Sequence, residues 1–227
     1  MSAVLQIPLE LIDVHAFSQP ARTFTGDFYF TRRTDDRLWF ALGDVAGKGL
    51  PAALVMAMIQ EELEQRITSC SRAGCDPATT MSRLDAFLRP LLPRNRFATV
   101  VIGWLHDDGT LKIVNGGHCP PLIVRSDGRI ERIDSSGPLV GVLPSARWTP
   151  HVLTLAPRES LLLFSDGVVE SQSPEGLEFG EESVTRIALR HAGATARGLA
   201  TAIVRAVDRF TGGVREDDLT LLVVQRA

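Results

Sequence analysis

The sequence predicts an α+β fold in which two stacked, mainly antiparallel sheets are covered by helices on both sides. Apolar stretches of strand length are joined by short polar turns, as at Asp107-Asp108-Gly109 between residues 98–105 and 111–114. Amphipathic helical patterns occur in two pairs, one in the first half of the chain and one near its end. A regular alternation of strands and helices, which would indicate a parallel doubly wound sheet, is absent from the pattern.

The first pair of helices follows a buried strand. Residues 38–42 are short and apolar and end at Gly43-Asp44, so they predict a strand that runs into a loop. Pro51 suits the first turn of a helix, and Asp76 and Pro77 suit the cap and the first turn of a second helix. The apolar positions that we expect these two helices to bury are Val55, Ile59, Leu63, Ile67, Met81, Leu84, Leu88 and Leu91.

The remaining patterns complete the sheets and supply the second pair of helices. Further strands are expected at residues 98–105, 111–114, 121–124, 128–133, 151–155, 161–164 and 219–224. Helices are expected around residues 184–188 and 199–210. The length would also permit two small domains, but no linker or repeat divides the chain. Residues 1–227 are therefore expected to form a single domain.

The composition indicates a soluble protein, with 44% hydrophobic residues, 22% charged residues and a formal net charge of −3. That charge gives no electrostatic sign of nucleic acid or of an anionic membrane as a partner. No stretch approaches the roughly 18 apolar residues that a transmembrane helix needs. Cys70, Cys75 and Cys119 have no metal-binding spacing, so we expect reduced thiols in a cytoplasmic protein. The sequence is also compatible with a homodimer.

Four acidic motifs place aspartate at the edge of an expected strand, next to glycine or to another aspartate. Each alone is explained by a turn or by a solvated surface. Three other segments with aspartate, Asp35-Asp36, Asp107-Asp108 and Asp127-Gly128, lie between strands, and turn formation accounts for them fully. The four motifs are Gly26-Asp27-Phe28, the segment of residues 43–49, Ser165-Asp166-Gly167 and Asp217-Asp218-Leu219-Thr220.

The glycine-rich loop after Asp44 does not match the known phosphate-binding motifs. A P-loop needs four residues between its first glycine and the Gly-Lys pair, whereas three separate Gly43 from Gly47. A dinucleotide-binding fingerprint is missing as well. The glycines do permit a close backbone approach, so that a carbonyl oxygen can face a hard cation.

Taken in order, these motifs resemble those of the metal-dependent 2C-type (PPM) serine/threonine phosphatases, in the bacterial branch that includes SpoIIE and RsbU. The resemblance covers residues 25–224 and includes the segments 48–54, 115–122, 138–142 and 161–170. It implies an α-β-β-α sandwich, in agreement with the order of elements. The sequence departs from the branch at Thr25-Gly26, where two glycines are usual. It also has only about 24 residues before Thr25, where RsbU-like proteins usually have a sensor or partner-binding region. Whether the chain is a complete enzyme or an excised domain stays open.

The resemblance also implies roles for the acidic residues. Asp44 would bridge two cations, and the carbonyl of Val45 would bind one of them. Asp27 would serve that same cation, directly or through water, so Asp27 and Asp44 are the expected catalytic pair. Asp166 and Asp217 would complete the other cation's site.

Asp218 stands where many relatives have asparagine, so a supporting position is expected, although it is kept as a candidate ligand.

Carboxylates brought together repel one another, and two divalent cations offset that charge. Ligation by oxygen alone selects Mg²⁺ or Mn²⁺ over zinc. Such a pair can acidify a water and direct it at phosphorus, so no covalent enzyme intermediate is required.

Two other residues have a functional and a structural interpretation. Arg22 lies five residues before Asp27, where related phosphatases have a basic residue that binds phosphate, but it also suits an exposed loop. His118 could act as a general acid, whereas Gly116-Gly117-His118 is typical of a tight turn, and we favour the turn.

We therefore expect a phosphoprotein phosphatase that hydrolyses phosphoserine or phosphothreonine. The branch suggests a phosphorylated anti-sigma-factor antagonist, or a similar signalling protein, as the substrate. The alternative is a non-catalytic phosphoprotein-binding module of the same fold, which would have lost a metal-ligating aspartate. A nuclease or nucleotidyl cyclase is disfavoured, because neither a basic groove nor a phosphate-binding glycine loop is evident.

Overall fold

The computed structural model describes residues 3–8, 11–21, 23–34, 36–69, 75–92 and 96–227. Within these ranges the chain forms eleven strands and five helices. The strands are β1 (Ala3–Pro8), β2 (Ile12–Gln19), β3 (Phe28–Arg33), β4 (Arg37–Val45), β5 (Ala98–His106), β6 (Thr110–Gly116), β7 (Leu122–Val124), β8 (Ile130–Arg132), β9 (His151–Thr154), β10 (Ser160–Phe164) and β11 (Leu219–Arg226). The helices are α1 (Leu50–Thr68), α2 (Pro77–Leu88), α3 (Asp166–Val169), α4 (Gly180–Arg190) and α5 (Ala196–Phe210).

The strands form two antiparallel sheets, which confirms the predicted α+β class. One sheet has the order β1-β2-β11-β10-β7-β8 and the other has the order β3-β4-β5-β6-β9. Two compact units contain one sheet each. The terminal unit comprises Met1–Thr23, Pro121–Ile133 and Leu155–Ala227, and the central unit comprises Phe24–Pro120 and Asp134–Thr154. That residues 1–227 act as a single domain stays a prediction.

In the central unit, α1 and α2 pack against the sheet as the sequence predicts. Both helices contact neighbouring strands, and their buried side chains join one apolar cluster with alternate residues of the sheet. Asp76 caps α2 by accepting a hydrogen bond from the Ala78 N–H at 2.8 Å. The expected burial of Leu91 is wrong, because α2 ends at Leu88 and Leu91 is 45% exposed.

In the terminal unit, α5 packs on β2 and β11, and α4 packs on α5. Every residue of β10 is buried, as is every residue of β11 before Arg226. Such strands appear in the sequence as continuous apolar runs, which is why both were predictable.

Two further expectations concern the location of the protein. No helix in the described part of the chain has the length and apolar character that crossing a membrane requires. The expectation of reduced thiols is wrong for Cys75, which is disulfide-bonded. Cys70 lies outside the described residues.

Candidate functional site

In the central unit, Asp27 and Asp44 are brought together by the pairing of β3 with β4. Phe28 is paired with Gly43, and the Val45 N–H donates to the Gly26 carbonyl at 3.3 Å, so the pairing continues past the end of β3. The residues between these two pairs are Asp27 and Asp44, which therefore lie opposite each other. The β-ladder itself places the first two predicted ligands side by side.

Gly26 allows a close approach at this point. A Cβ atom on Gly26 would lie 2.5 Å from a carboxylate oxygen of Asp44 and 2.8 Å from the carbonyl oxygen of Val45. Both oxygens therefore lie against the same stretch of backbone, and any side chain at position 26 would displace them. The close approach of a carbonyl that we expected from the glycines after Asp44 is provided by the glycine before Asp27.

Asp27 is only 5% exposed, and its N–H donates to Thr25 Oγ1 at 2.9 Å. A buried carboxylate is costly unless charge or hydrogen bonds compensate it. Its burial next to the Asp44 carboxylate and the Val45 carbonyl produces a set of oxygen donors that suits a hard cation.

Arg96 contacts the loop that follows Asp44 and was missed by the sequence analysis. Its Nη1 donates to the Ala46 carbonyl at 3.4 Å, and the Ala46 N–H donates to the Phe97 carbonyl at 2.9 Å. These bonds tie the residue after Val45 to the start of β5. No motif surrounds Arg96, so only the fold reveals this contact.

In the terminal unit, Asp166 and the Asp217-Asp218 pair are held together where β10 and β11 meet. The Ser165 N–H donates to the Thr220 carbonyl at 2.9 Å, and the Thr220 N–H donates to Ser165 Oγ at 3.0 Å. A Cβ atom on Gly167 would clash with the Asp218 carbonyl, so the two turns touch at backbone level.

This arrangement crowds negative charge around Asp166. Burial raises the pKa of the Asp166 carboxyl, and the neighbouring charges of Asp217 and Asp218 raise it further. Burial and the charge of Asp166 also raise the pKa of Glu170, a fourth acidic residue to which the sequence analysis gave no role. The ionised forms that a cation would bind are thus disfavoured while no cation offsets them.

Asp218 differs from its neighbours because its carboxylate binds the backbone. Its Oδ1 accepts a hydrogen bond from the Ala21 N–H at 2.8 Å, and its carbonyl accepts one from Ser165 Oγ at 3.2 Å. These contacts favour the supporting position that was expected for Asp218 over that of a ligand.

Other residues of interest are placed as follows. Asp108 and Asp127 lie in hairpin turns, as predicted, and accept hydrogen bonds from the N–H groups of Thr110 and Arg129. Arg22 and Asp35 lie outside the described residues.

Each acidic turn brings its own predicted ligands close together. Among the side chains that the structure describes, however, no group of three or more His, Cys, Asp or Glu is arranged so that it could hold a metal ion as it stands. The ligand assignment made from the sequence therefore stays a prediction.

Comparison with known proteins supplies independent information. The sequence model of the stage II sporulation protein E (SpoIIE) family matches residues 34–227. The phosphoserine phosphatase RsbU of Bacillus subtilis is 24% identical over 96% of this chain and 64% of its own length. The chain spans 39% of the length of one curated relative, the protein IcfG of Synechocystis, and 64% of the length of RsbU.

Solved structures share the fold. The RsbU and RsbW domains of a Mycobacterium tuberculosis protein superpose with a TM-score of 0.82 and 25% identity, over 99% of this chain and 62% of that chain. RsbX, solved in complex with magnesium, gives a TM-score of 0.74 at 16% identity, over 99% of this chain and all of RsbX. The chain thus belongs to the SpoIIE family, and its relatives are the SpoIIE/RsbU-like phosphatases of the PP2C type.

Proposed function

We propose that this chain is a divalent-metal-dependent phosphatase that hydrolyses phosphoserine or phosphothreonine in a protein. One observation carries the proposal: in a member of this family, every aspartate that the motifs predict as a ligand is present in one of two tightly built acidic turns. Burial and the neighbouring charges of Asp217 and Asp218 raise the pKa of Asp166, which supports the proposal because such a group gains from a neighbouring cation.

The available donors fit a pair of hard cations. From the motif resemblance alone, we assign Asp27, Asp44 and the Val45 carbonyl to one cation, Asp166 and Asp217 to the other, and Asp44 to both. All of these atoms are oxygens, which favours Mg²⁺ or Mn²⁺, and RsbX of the same fold contains magnesium. When bound, the cations would supply an acidified, oriented water for attack on phosphorus.

The residues around these donors hold and orient them. Gly26 keeps the Asp44 carboxylate and the Val45 carbonyl together, and Arg96 fixes the following loop through the Ala46 carbonyl. The proposed role of Arg22 in binding the substrate phosphate rests on its position in the sequence alone.

For the substrate, we infer a phosphoserine in a small regulatory protein, such as an anti-sigma-factor antagonist. The support is that RsbU is named a phosphoserine phosphatase and that a solved relative joins an RsbU domain to an RsbW domain. A cytoplasmic location and a homodimer also stay predictions.

The alternative is a phosphoprotein-binding module of the same fold that lacks activity. Its signature would be the loss of a ligand, and Asp27, Asp44, Asp166 and Asp217 are all retained. We favour catalysis on this ground.

The test uses the whole chain with p-nitrophenyl phosphate, a phosphoserine peptide and a single-stranded oligonucleotide as parallel substrates. We expect the first two to be hydrolysed with Mn²⁺ or Mg²⁺ present, and we expect EDTA to abolish turnover reversibly. Full activity after exhaustive chelation would exclude the metal-dependent mechanism. Binding of the phosphopeptide without turnover would instead indicate the non-catalytic module.

A further inference from the structure

The turn around His118 was interpreted from the sequence as structural, yet the His118 imidazole makes a specific contact next to the acidic turn of the central unit. His118 Nδ1 lies 2.8 Å from Thr99 Oγ1. Thr99 on β5 is paired directly with Asp44 on β4. Directly paired residues of antiparallel strands project their side chains from the same face, with Cβ atoms about 4.5–5.5 Å apart. His118, Thr99 and Asp44 therefore follow one another across neighbouring strands, and we call these three residues the polar row.

The turn that carries His118 is fixed without any help from the imidazole. The His118 N–H donates to Asn115 Oδ1 at 2.8 Å, and Asn115 Nδ2 donates to the His118 carbonyl at 3.1 Å. Asn115 is fully buried, so this pair of bonds is shielded from water. A purely structural turn would need Asn115 and the backbone only, and the contact of the ring with Thr99 is additional.

The contact with Thr99 restricts a side chain that is already stiff. Threonine is branched at Cβ and has few accessible χ1 rotamers, so one hydrogen bond to Oγ1 selects among them. A hydroxyl has one hydrogen to donate and can accept as well. If His118 Nδ1–H donates to Thr99 Oγ1, the hydroxyl hydrogen remains available for an acceptor on the other side, where Asp44 is the paired residue.

We propose that His118 is a positioning residue that acts through Thr99 to fix the carboxylate of Asp44 for cation binding. This inference rests on the proposed function, because it assigns the polar row to the same metal-dependent reaction. His118 itself is only 6% exposed, in keeping with an indirect role and not with contact to a protein substrate. The arrangement matches the general case in which a residue behind a ligand sets that ligand's orientation.

A double-mutant cycle tests the proposal. His118→Leu and Thr99→Val each remove one side of the contact while keeping similar volume, and we expect each to lower kcat on p-nitrophenyl phosphate and Mn²⁺ affinity roughly 10–100-fold. KM at saturating Mn²⁺ should change little. Because His118 acts through Thr99, the double variant should be no worse than Thr99→Val alone.

Matched variants separate positioning from packing. Thr99→Ser keeps the hydroxyl and should recover most of the activity lost in Thr99→Val, while thermal melts report whether any variant unfolds. Should His118→Leu unfold, His118→Phe, which keeps an aromatic ring but has no atom that can bind Thr99 Oγ1, takes its place in the cycle. Calorimetric titration with Mn²⁺ gives a readout that does not depend on turnover.

Losses that multiply in the double variant would overturn the proposal, because His118 would then act independently of Thr99. Wild-type kcat and Mn²⁺ affinity in His118→Leu would overturn it as well. A wild-type chain that shows no metal-dependent turnover would instead count against the proposed function, so the two failures are distinguishable.

Discussion

The acidic turn of the central unit and that of the terminal unit accommodate negative charge in different ways. In the central unit, two aspartates lie opposite each other on a β-ladder, and Gly26 leaves room for both the Asp44 carboxylate and the neutral carbonyl of Val45. In the terminal unit, burial raises the pKa of Asp166, and the charges of Asp217 and Asp218 raise it further. One turn thus offers a mixture of charged and neutral oxygens, whereas the other offers carboxylates only.

This difference indicates how the two turns should behave toward cations. More carboxylate charge around a hard cation generally gives tighter binding. The terminal unit should therefore supply the tighter site, and it should also suffer the larger repulsion when no metal is present. The central unit should depend more on how well its few donors are positioned.

The largest effect is expected from Asp44→Asn. Asp44 is the ligand that we assign to both cations, so replacing its carboxylate by an amide should abolish measurable turnover. The change is nearly isosteric, so the thermal melt without metal should stay close to that of the wild type. Steady-state kinetics with Mn²⁺, run beside thermal melts, give both quantities.

Asp108→Asn is the matched control. Asp108 is an exposed residue of a hairpin turn in the same unit, and asparagine can keep its hydrogen bond from the Thr110 N–H. Turnover in this variant should remain within about twofold of the wild type, since surface substitutions of this kind have small effects. Near wild-type kcat in Asp44→Asn, or a tenfold loss in Asp108→Asn without unfolding, would show that the functional acids are wrongly assigned.

A smaller effect is expected in the metal affinities of the two acidic turns, which should differ. Calorimetric titration of the wild type with Mn²⁺ should show two unequal sites, because Asp166 and Asp217 supply more charge than Asp27 and the Val45 carbonyl. Asp27→Asn should remove the weaker site and spare the tighter one. Two equal, tight sites in the wild type, or loss of the tighter site in Asp27→Asn, would contradict the comparison.

The sequence predicted much of this architecture because its signals were local. The Asp76 cap, the four-residue spacing of Ile59 and Leu63 in α1, and the apolar run of β11 each identified an element. The burial of Leu91 was predicted wrongly because periodicity does not show where a helix ends. β3 and the four-residue helix α3 were not specified, because α3 is too short to show a clear period and the apolar start of β3 is followed by the polar residues Thr31-Arg32-Arg33.

The carboxylates of the candidate site are visible as a pattern in the sequence, whereas the residues that support them are not. Aspartates beside glycine at strand edges are visible in the sequence, and the motif order points to the family. The contacts of Arg96 and Thr99 join residues about fifty and nineteen positions apart, respectively. Such contacts depend on strand register, which the sequence analysis did not attempt to assign.

The smallest effect that we predict is on the stability of the metal-free protein, and it concerns the terminal unit alone. The pKa of Asp166 in the fold is raised above its ordinary value of 3.8 by burial, and then by the charges of Asp217 and Asp218. A carboxyl with a raised pKa stabilises the fold fully below its unfolded pKa, and that contribution is lost as pH rises through its folded pKa. Asp166→Asn should therefore melt at a higher temperature than the wild type in EDTA at neutral pH, and this advantage should shrink toward pH 3.8. In a chain of this size, each 1 kcal/mol of unfolding free energy corresponds to a shift of roughly 2–4 °C in melting temperature.

Asp127→Asn is the control of opposite sign, because a hydrogen bond from Arg129 lowers the pKa of Asp127 and its ionised form favours folding. The measurement is a set of melting curves recorded from acidic to neutral pH. If the melting temperature of Asp166→Asn does not rise relative to that of the wild type, the ionised Asp166 carboxylate does not destabilise the metal-free fold.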